Sequence, residues 1–279
     1  MPSKVLILGA RGMLGQALQR TALQAVEAIA WDRSECDIAN HQEVIAKIPS
    51  TATQWIINCA AYNGVDDAQA HQALVSAINA EAVGFLAEVA KGMNARLIHM
   101  SSDYVFAGTV KEGYAESDEP NPISIYGQSK LRGEQMALQS PGAIVIRTSR
   151  LFGKPGVGKK SFVDVVLEKA KDQDRIEVID EETSSPTLVD DLAKEIWKLV
   201  ANPLSAAGIY HRTNDGACTW FEFAQEIIAV KKIECELVSV DSSYYQRAAQ
   251  RPKHSILLTT KLPPLRPWQE ALKEYLENS

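Results

Sequence analysis

KVLILGARGMLG, residues Lys4 to Gly15, is the stretch that decides the fold. Lys4 to Leu8 is an apolar run rich in β-branched residues, which predicts a strand. Glycines follow at positions 9, 12 and 15, and Leu14, Leu18 and Leu23 then recur with helical spacing. Strand, glycine turn and helix in immediate succession predict a dinucleotide-binding unit. Gly9 permits the tight turn, Gly12 lets a pyrophosphate approach the backbone, and Gly15 lets the helix pack close to the strand. The spacing is G-x-x-G-x-x-G rather than G-x-G-x-x-G, so its place directly after a strand carries the assignment, not the glycines alone.

Working outward, Ala28 to Trp31 reads as a second strand ending in Asp32 and Arg33. A carboxylate about 20 residues past the glycines accepts hydrogen bonds from the adenosine ribose of NAD, whereas an arginine there pairs with the 2′-phosphate of NADP. Both are present, and Arg11 in the glycine loop is a second phosphate partner, so the expectation is NADPH, with NADH possible. Asp37 and Ile38 fit a turn into a helix around Val44 to Ile48. A third strand, Trp55 to Asn58, runs into Ala60, Ala61 and Tyr62, where small side chains leave room for a cofactor. His71 to Lys91 reads as a long helix with Leu74, Ile78, Phe85, Leu86 and Val89 on one side.

The apolar stretch Leu97 to Met100 leads into SSDYVFAG, so Ser102 stands at the end of a strand, where hydroxyls of a parallel sheet face the ligand crevice. After a polar, proline-bearing loop between Gly108 and Pro122, YGQSK places Tyr126 and Lys130 one helical turn apart on one face. An ammonium beside a phenol favours the phenolate, so the expectation is a Tyr126 pKa lowered from about 10. Such a tyrosine exchanges a proton with an alcohol or ketone oxygen. Alone, the pair reads as an incidental feature of a surface helix; the glycine turn and Ser102 decide against that.

Composition narrows the classes. The chain has 279 residues, 46% hydrophobic and 23% charged, ordinary for a globular protein. A net charge of −6 argues against a general nucleic-acid binder. Anions must then meet local groups, such as helix N-termini and the pair Arg251 and Lys253. The cysteines at 36, 59, 218 and 235 show no C-x-x-C pair, so neither a zinc site nor a disulfide framework is expected. No apolar run of membrane-spanning length and no signal pattern is read, which gives the expectation of a cytoplasmic protein without a membrane partner.

Ala143 to Ile146 is a further strand, ending in RTSRLFG. From about Gly153 the pattern changes: a loop KPGVGKK, a helix Phe162 to Lys171, a strand Ile176 to Ile179, a helix Val189 to Val200, a strand-like GIYHRT, a helix with Thr219 as N-cap, and a last helix beginning near Pro267. No second glycine fingerprint occurs. The expected architecture is α/β: a doubly wound parallel sheet of the Rossmann type over residues 1–152, and a smaller mixed α/β substrate-binding region over 153–279, with some of its elements returning to the first domain.

With GARGMLG, SSDYVF and YGQSK in hand, the chain resembles the extended short-chain dehydrogenase/reductases, and within them the dTDP-4-dehydrorhamnose reductase family. The likeness runs through NCAAYNGVDDA, YGQSKLRGE, IRTSRLFG, SSPT, GIYHRTNDGACTWFEFA and AQRPKHS. It implies reduction of a nucleotide-linked 4-keto-6-deoxy sugar by a monomer or homodimer. Tyr126, Lys130 and Ser102 would be catalytic. Gly9, Arg11, Gly12, Met13, Leu14, Gly15, Asp32, Arg33, Asp37, Ile38, Ala60, Ala61, Tyr62, Tyr126 and Lys130 would hold the cofactor. Ser102, Asp103, Arg150 and Arg251 would face the substrate. It further implies that Asn79 links Lys130 to solvent through a water.

The chain also departs from this family. Arg150 replaces a tryptophan that packs on the sugar, Ser184 a glycine, and Asp67 a lysine. Ala17 stands where some members carry an acid used in magnesium-linked dimers, so no metal is expected. SSDYVF and AQRPK also resemble the regulatory subunit of methionine adenosyltransferase, which keeps a non-catalytic binding role as an alternative beside reduction of a different nucleotide sugar.

Overall fold

The computed structural model describes residues 3–157, 160–202 and 206–278; Gly158 and Lys159 of the expected KPGVGKK loop lie outside the described residues. Strand β1 (Ser3–Leu8) is followed by helix α1 (Met13–Arg20), β2 (Val26–Trp31), α2 (His41–Lys47) and β3 (Trp55–Asn58). A long helix, α3 (Gln72–Gly92), leads to β4 (Arg96–Ser102), α4 (Ile125–Ala137) and β5 (Ile144–Thr148). Together with β7 (Gly208–His211), the edge strand beside β5, these strands form a six-stranded parallel sheet in the order β7-β5-β4-β3-β1-β2. This is a Rossmann-like α/β fold.

Alternation within each strand sends side chains to two cores. Val5 and Ile7 of β1, Ile98 and Met100 of β4, and Ile144 and Ile146 of β5 face α1 and α6 (Val189–Ala201). Leu6, Leu8, Ile56, Leu97 and Val145 face α2, α3 and α4. The strand order reverses at β1, between β2 and β3, and there the carboxyl ends of the strands leave a crevice.

Two sequence expectations about α3 change in the structure. The 21-residue helix has a mean hydropathy of 1.5, long and apolar enough by length and composition to cross a membrane, although no such run was expected. It instead packs half-buried on the sheet. It is also interrupted by a π-helical turn at Ala77–Glu81, a distortion that periodicity does not reveal.

The rest of the chain builds a smaller lobe: α5 (Phe162–Asp172), β6 (Arg175–Ile179), α7 (Trp220–Lys231), β8 (Glu236–Val240) and α8 (Trp268–Glu277). β8 pairs with β6 in parallel, and their helices share a core of Phe152, Val163, Ile176, Phe223 and Trp268. Thr219 caps α7 in a reciprocal capping box with Glu222. Between these elements the chain returns to the main sheet twice, as α6 against α1 and as β7 beside β5.

Candidate active site

A cleft of about 660 Å³ opens along the carboxyl ends of β1 to β5. Its walls include every residue assigned to the cofactor from the sequence: Gly9, Arg11, Gly12, Met13, Leu14, Gly15, Asp32, Arg33, Asp37, Ile38, Ala60, Ala61, Tyr62, Tyr126 and Lys130. Ser102, Asp103 and Arg150 line it too. At the glycine turn, Gly9 has φ +78°, and a Cβ there would stand 2.7 Å from the Ala60 nitrogen. A Cβ on Gly15 would collide with the Gly9 carbonyl. The start of α1 is thus pressed onto the strand end, leaving its first N–H groups toward the cleft, a cradle suited to a pyrophosphate.

Past the end of β2 the charges sit in weak surface pairs. Arg11 Nε lies 3.6 Å from Asp32, and Arg33 Nε donates to Asp37 at 2.9 Å, with Arg11 and Arg33 both largely exposed. Exposed pairs of this kind contribute little, so either arginine is free to turn to a phosphate. Asp37 also accepts from the Ala39 N–H at 3.1 Å, while Ile38 is buried in the second core.

The catalytic candidates meet at the other end of the cleft. Ser102 closes β4, and its hydroxyl donates to Asp103 at 2.9 Å and accepts from the Tyr104 N–H at 3.2 Å. Tyr126 lies edge-on to Tyr104, ring centres 5.7 Å apart. Lys130, almost fully buried, donates to the Met100 carbonyl at 2.6 Å. The lowered Tyr126 pKa expected from the sequence is not what this site produces. Burial pushes the phenol up to about 12, opposed by hydrogen bonding with Ser102 and helped by the nearby Asp103 charge. Burial also pulls Lys130 down to about 8, with the Glu134 and Cys59 charges working the other way. Helical spacing put the pair on one face but carried no information about desolvation.

Asn79, to which the resemblance gives a water-mediated link between Lys130 and solvent, is held by the protein itself. It sits in the π-turn, buried, and its side chain accepts from the Tyr62 N–H at 2.8 Å and donates to the Tyr62 carbonyl and the Ser129 hydroxyl, each at 3.0 Å. It therefore ties the cleft wall at Tyr62 to the helix carrying Tyr126 and Lys130.

A second cavity of about 290 Å³ shares Ser102, Asp103, Tyr126 and Arg150 with the cleft and reaches Glu182, Ser184 and Trp220 in the smaller lobe. Asp103 is its hub, taking hydroxyl donors from Ser102, from Ser149 at 2.9 Å and from Ser255 at 2.6 Å. Burial raises its pKa, those three donors opposing the rise. The replacement of an aromatic by Arg150 leaves two placements, out of the pocket or paired with a substrate pyrophosphate, and the side chain lines both cavities. Its backbone is left-handed, φ +41°. Its guanidinium lies 3.9 Å from the centre of the Trp220 ring and donates to the carbonyls of Cys218, at 2.7 Å, and Glu182.

Arg251 lines neither cavity. Asp66 engages it in a two-point ion pair, and that arginine, with further backbone donors, holds the Asp66 carboxyl down to about 2. Its chain neighbours Pro252 and Ser255 reach the pocket instead. Sequence reading missed Trp220, Glu182, Ser149 and Ser255. Only Trp220 carried a signal, as an aromatic at the first position of a capped helix; the others are ordinary polar residues gathered by the fold. Asp67 lines neither cavity, but it accepts from the hydroxyl of Tyr62 in the wall of the larger cleft, and pairs with His71 at 3.0 Å.

A family model described as "RmlD substrate binding domain" matches residues 3–279. A dTDP-4-dehydrorhamnose reductase of Aggregatibacter actinomycetemcomitans is 35% identical, over 97% of each chain. A probable dTDP-4,6-dihydroxy-2-methyloxan-3-one 4-ketoreductase of Streptomyces antibioticus is 36% identical, over 96% of this chain and 93% of its own. Among solved structures, dTDP-4-dehydrorhamnose reductase from Bacillus anthracis in complex with NADP superposes with a TM-score of 0.96 at 34% identity, covering 100% of both chains.

Proposed function

The chain belongs to the RmlD substrate binding domain family, and from that membership we propose that it is an NADPH-dependent reductase of a dTDP-linked 4-keto-6-deoxy sugar, with dTDP-4-dehydro-L-rhamnose as substrate and dTDP-L-rhamnose as product. The observation that carries the reading is the meeting of Ser102, Tyr126 and Lys130 where a dinucleotide-shaped cleft opens into a sugar-sized cavity. A bound reduced nicotinamide supplies the hydride. The protein's own part is to position the sugar and deliver a proton. With its pKa raised to about 12, Tyr126 stays protonated across the neutral range and is loaded as the acid that protonates the keto oxygen. Ser102 polarises that oxygen by turning to it the one hydroxyl proton that Asp103 accepts in the free protein. Lys130, held at the Met100 carbonyl, provides positive charge beside the phenolate that remains. The reading carries a cytosolic setting with it, where the four free cysteines stay reduced.

The test is consumption of reduced nicotinamide by the purified chain with a panel of nucleotide 4-keto sugars and both cofactors. Tyr126→Phe keeps the ring and removes the proton donor, so its kcat is expected to fall about 10²- to 10⁴-fold while cofactor affinity persists. Wild-type turnover in that variant would remove Tyr126 from the mechanism. No turnover of any sugar by the wild type would favour the non-catalytic binding role.

A second reading, the same chemistry on a different nucleotide sugar, is favoured by Arg150. It lines the sugar-sized cavity with its guanidinium stacked on Trp220, where the family carries an aromatic.

A further inference from the structure

β5 ends at Thr148, whose hydroxyl is buried without a hydrogen-bond partner among the described residues. Buried hydroxyls are nearly always satisfied, so an exception calls for a partner from outside the chain, a water, an ion or a ligand. This one lines the larger cleft. Its neighbour Ser149 is already engaged by Asp103, and Arg147, pointing to the opposite face, by Glu134 at 2.7 Å. In the parallel register Thr148 pairs with Ser102, and both side chains share the face of the sheet that carries Ile98, Met100, Ile144 and Ile146.

The strand order shows which end of a dinucleotide reaches it. The glycine turn that cradles the pyrophosphate follows β1, and the charges that suit the adenosine ribose stand beyond β2. Thr148 lies on the opposite side, three strand spacings from β1, about 14 Å at 4.8 Å per spacing. The part of the cofactor that extends there is the nicotinamide. Its carboxamide bears two donors and an acceptor, and a threonine hydroxyl satisfies either kind.

Resting on the reductase reading above, we propose that Thr148 is a cofactor-contacting residue that hydrogen-bonds the nicotinamide carboxamide and so fixes the ring beside Ser102 and Tyr126. Thr148→Val replaces the hydroxyl by a methyl of similar shape, and Thr148→Ser keeps the hydroxyl. Binding of NADPH and of adenosine 2′,5′-bisphosphate, which lacks the nicotinamide, is measured by titration calorimetry, and thermal unfolding is followed without cofactor. For Thr148→Val the expected results are an NADPH Kd raised about tenfold, or about 1.4 kcal/mol, an unchanged Kd for the bisphosphate, and a Tm equal to or above wild type. Thr148→Ser should bind NADPH within about threefold of wild type.

Equal NADPH affinity in wild type and Thr148→Val would overturn the assignment, as would equal losses for both ligands. A fall in Tm on removing the hydroxyl would overturn it too, by revealing a partner inside the protein. If Thr148→Val does not fold, a Thr148→Ser protein that does fold with weakened NADPH binding overturns it equally. Failure of the wild type to bind NADPH at all would instead count against the reductase reading.

Discussion

Lys130 is a cation held where the protein barely tolerates one. Its ordinary pKa near 10.5 is brought down to about 8 by burial. A base with a depressed folded pKa binds fewer protons folded than unfolded between those two values, so stability rises with pH across that window. Below pH 8 the whole penalty is present, on the order of 3 kcal/mol, offset in part by the bond to the Met100 carbonyl. Lys130→Met should therefore abolish activity yet raise Tm by a few degrees at pH 7. The difference from wild type should shrink as pH climbs from 8 to 10.5, measured by thermal unfolding at several pH values; a lower Tm at pH 7 would refute the account. At the other end of the cleft, Arg33 is exposed and paired only with Asp37. Arg33→Ala should weaken NADPH by about 1.5–3 kcal/mol and leave NADH nearly unchanged, because only the former offers a 2′-phosphate. Equal losses in a fluorescence titration would direct attention to Arg11.

At the scale of elements, the helix that carries Tyr126 and Lys130 is set by how closely it crosses the π-turn of α3. Gly133 allows that approach, since a Cβ there would collide with the Asn79 carbonyl and stand 3.2 Å from His99 Nε2. Alanine in a helix interior gains about 1 kcal/mol over glycine, but overpacking a rigid contact costs about 1–3 kcal/mol and here meets backbone. Gly133→Ala is expected to lower Tm by several degrees and to reduce kcat further by displacing the Asn79 clamp on Tyr62. Gly92, at the end of α3, would meet nothing within 4 Å. Gly92→Ala should be neutral or stabilising by up to about 1 kcal/mol. Similar Tm values for the two variants would show that the contact at Asn79 yields.

Over the whole molecule, the sugar-sized cavity exists only because the smaller lobe stands against the sheet. Arg150 spans the gap, with its backbone on the β5 side and its guanidinium on the Cys218 and Glu182 carbonyls and the Trp220 face. Glu182 is itself held by Arg247 and by the Trp220 indole N–H at 3.2 Å. Arg150→Trp keeps an aromatic contact but gives up both charge-assisted carbonyl bonds, each worth about 1.5–3 kcal/mol. The expected result is a Tm lower by a few degrees and, on the second reading of a different natural sugar, kcat/KM raised toward dTDP-4-dehydro-L-rhamnose relative to that sugar across a panel of nucleotide 4-keto sugars. Loss by one common factor on every sugar would make Arg150 a clamp between lobes and nothing more.

The sequence by itself determined the dinucleotide half of this protein. Strand, glycine turn and helix are contiguous, and their physics is local: a positive φ at Gly9, a close approach at Gly15, an apolar period that switches from strand to helix. For the same reason it put Ser102 at a strand end and Tyr126 and Lys130 on one helical face. Only the tertiary structure decided what those groups experience. Desolvation reversed the expected direction of the Tyr126 shift, because burial is a sum over residues distant in the chain. Arg251 left the substrate site through Asp66, 185 positions away, and Arg150 entered the wall between lobes through Cys218 and Glu182. The π-turn that buries Asn79 and the register that sets Thr148 beside Ser102 arise from packing between elements, and no spacing within a single segment encodes them.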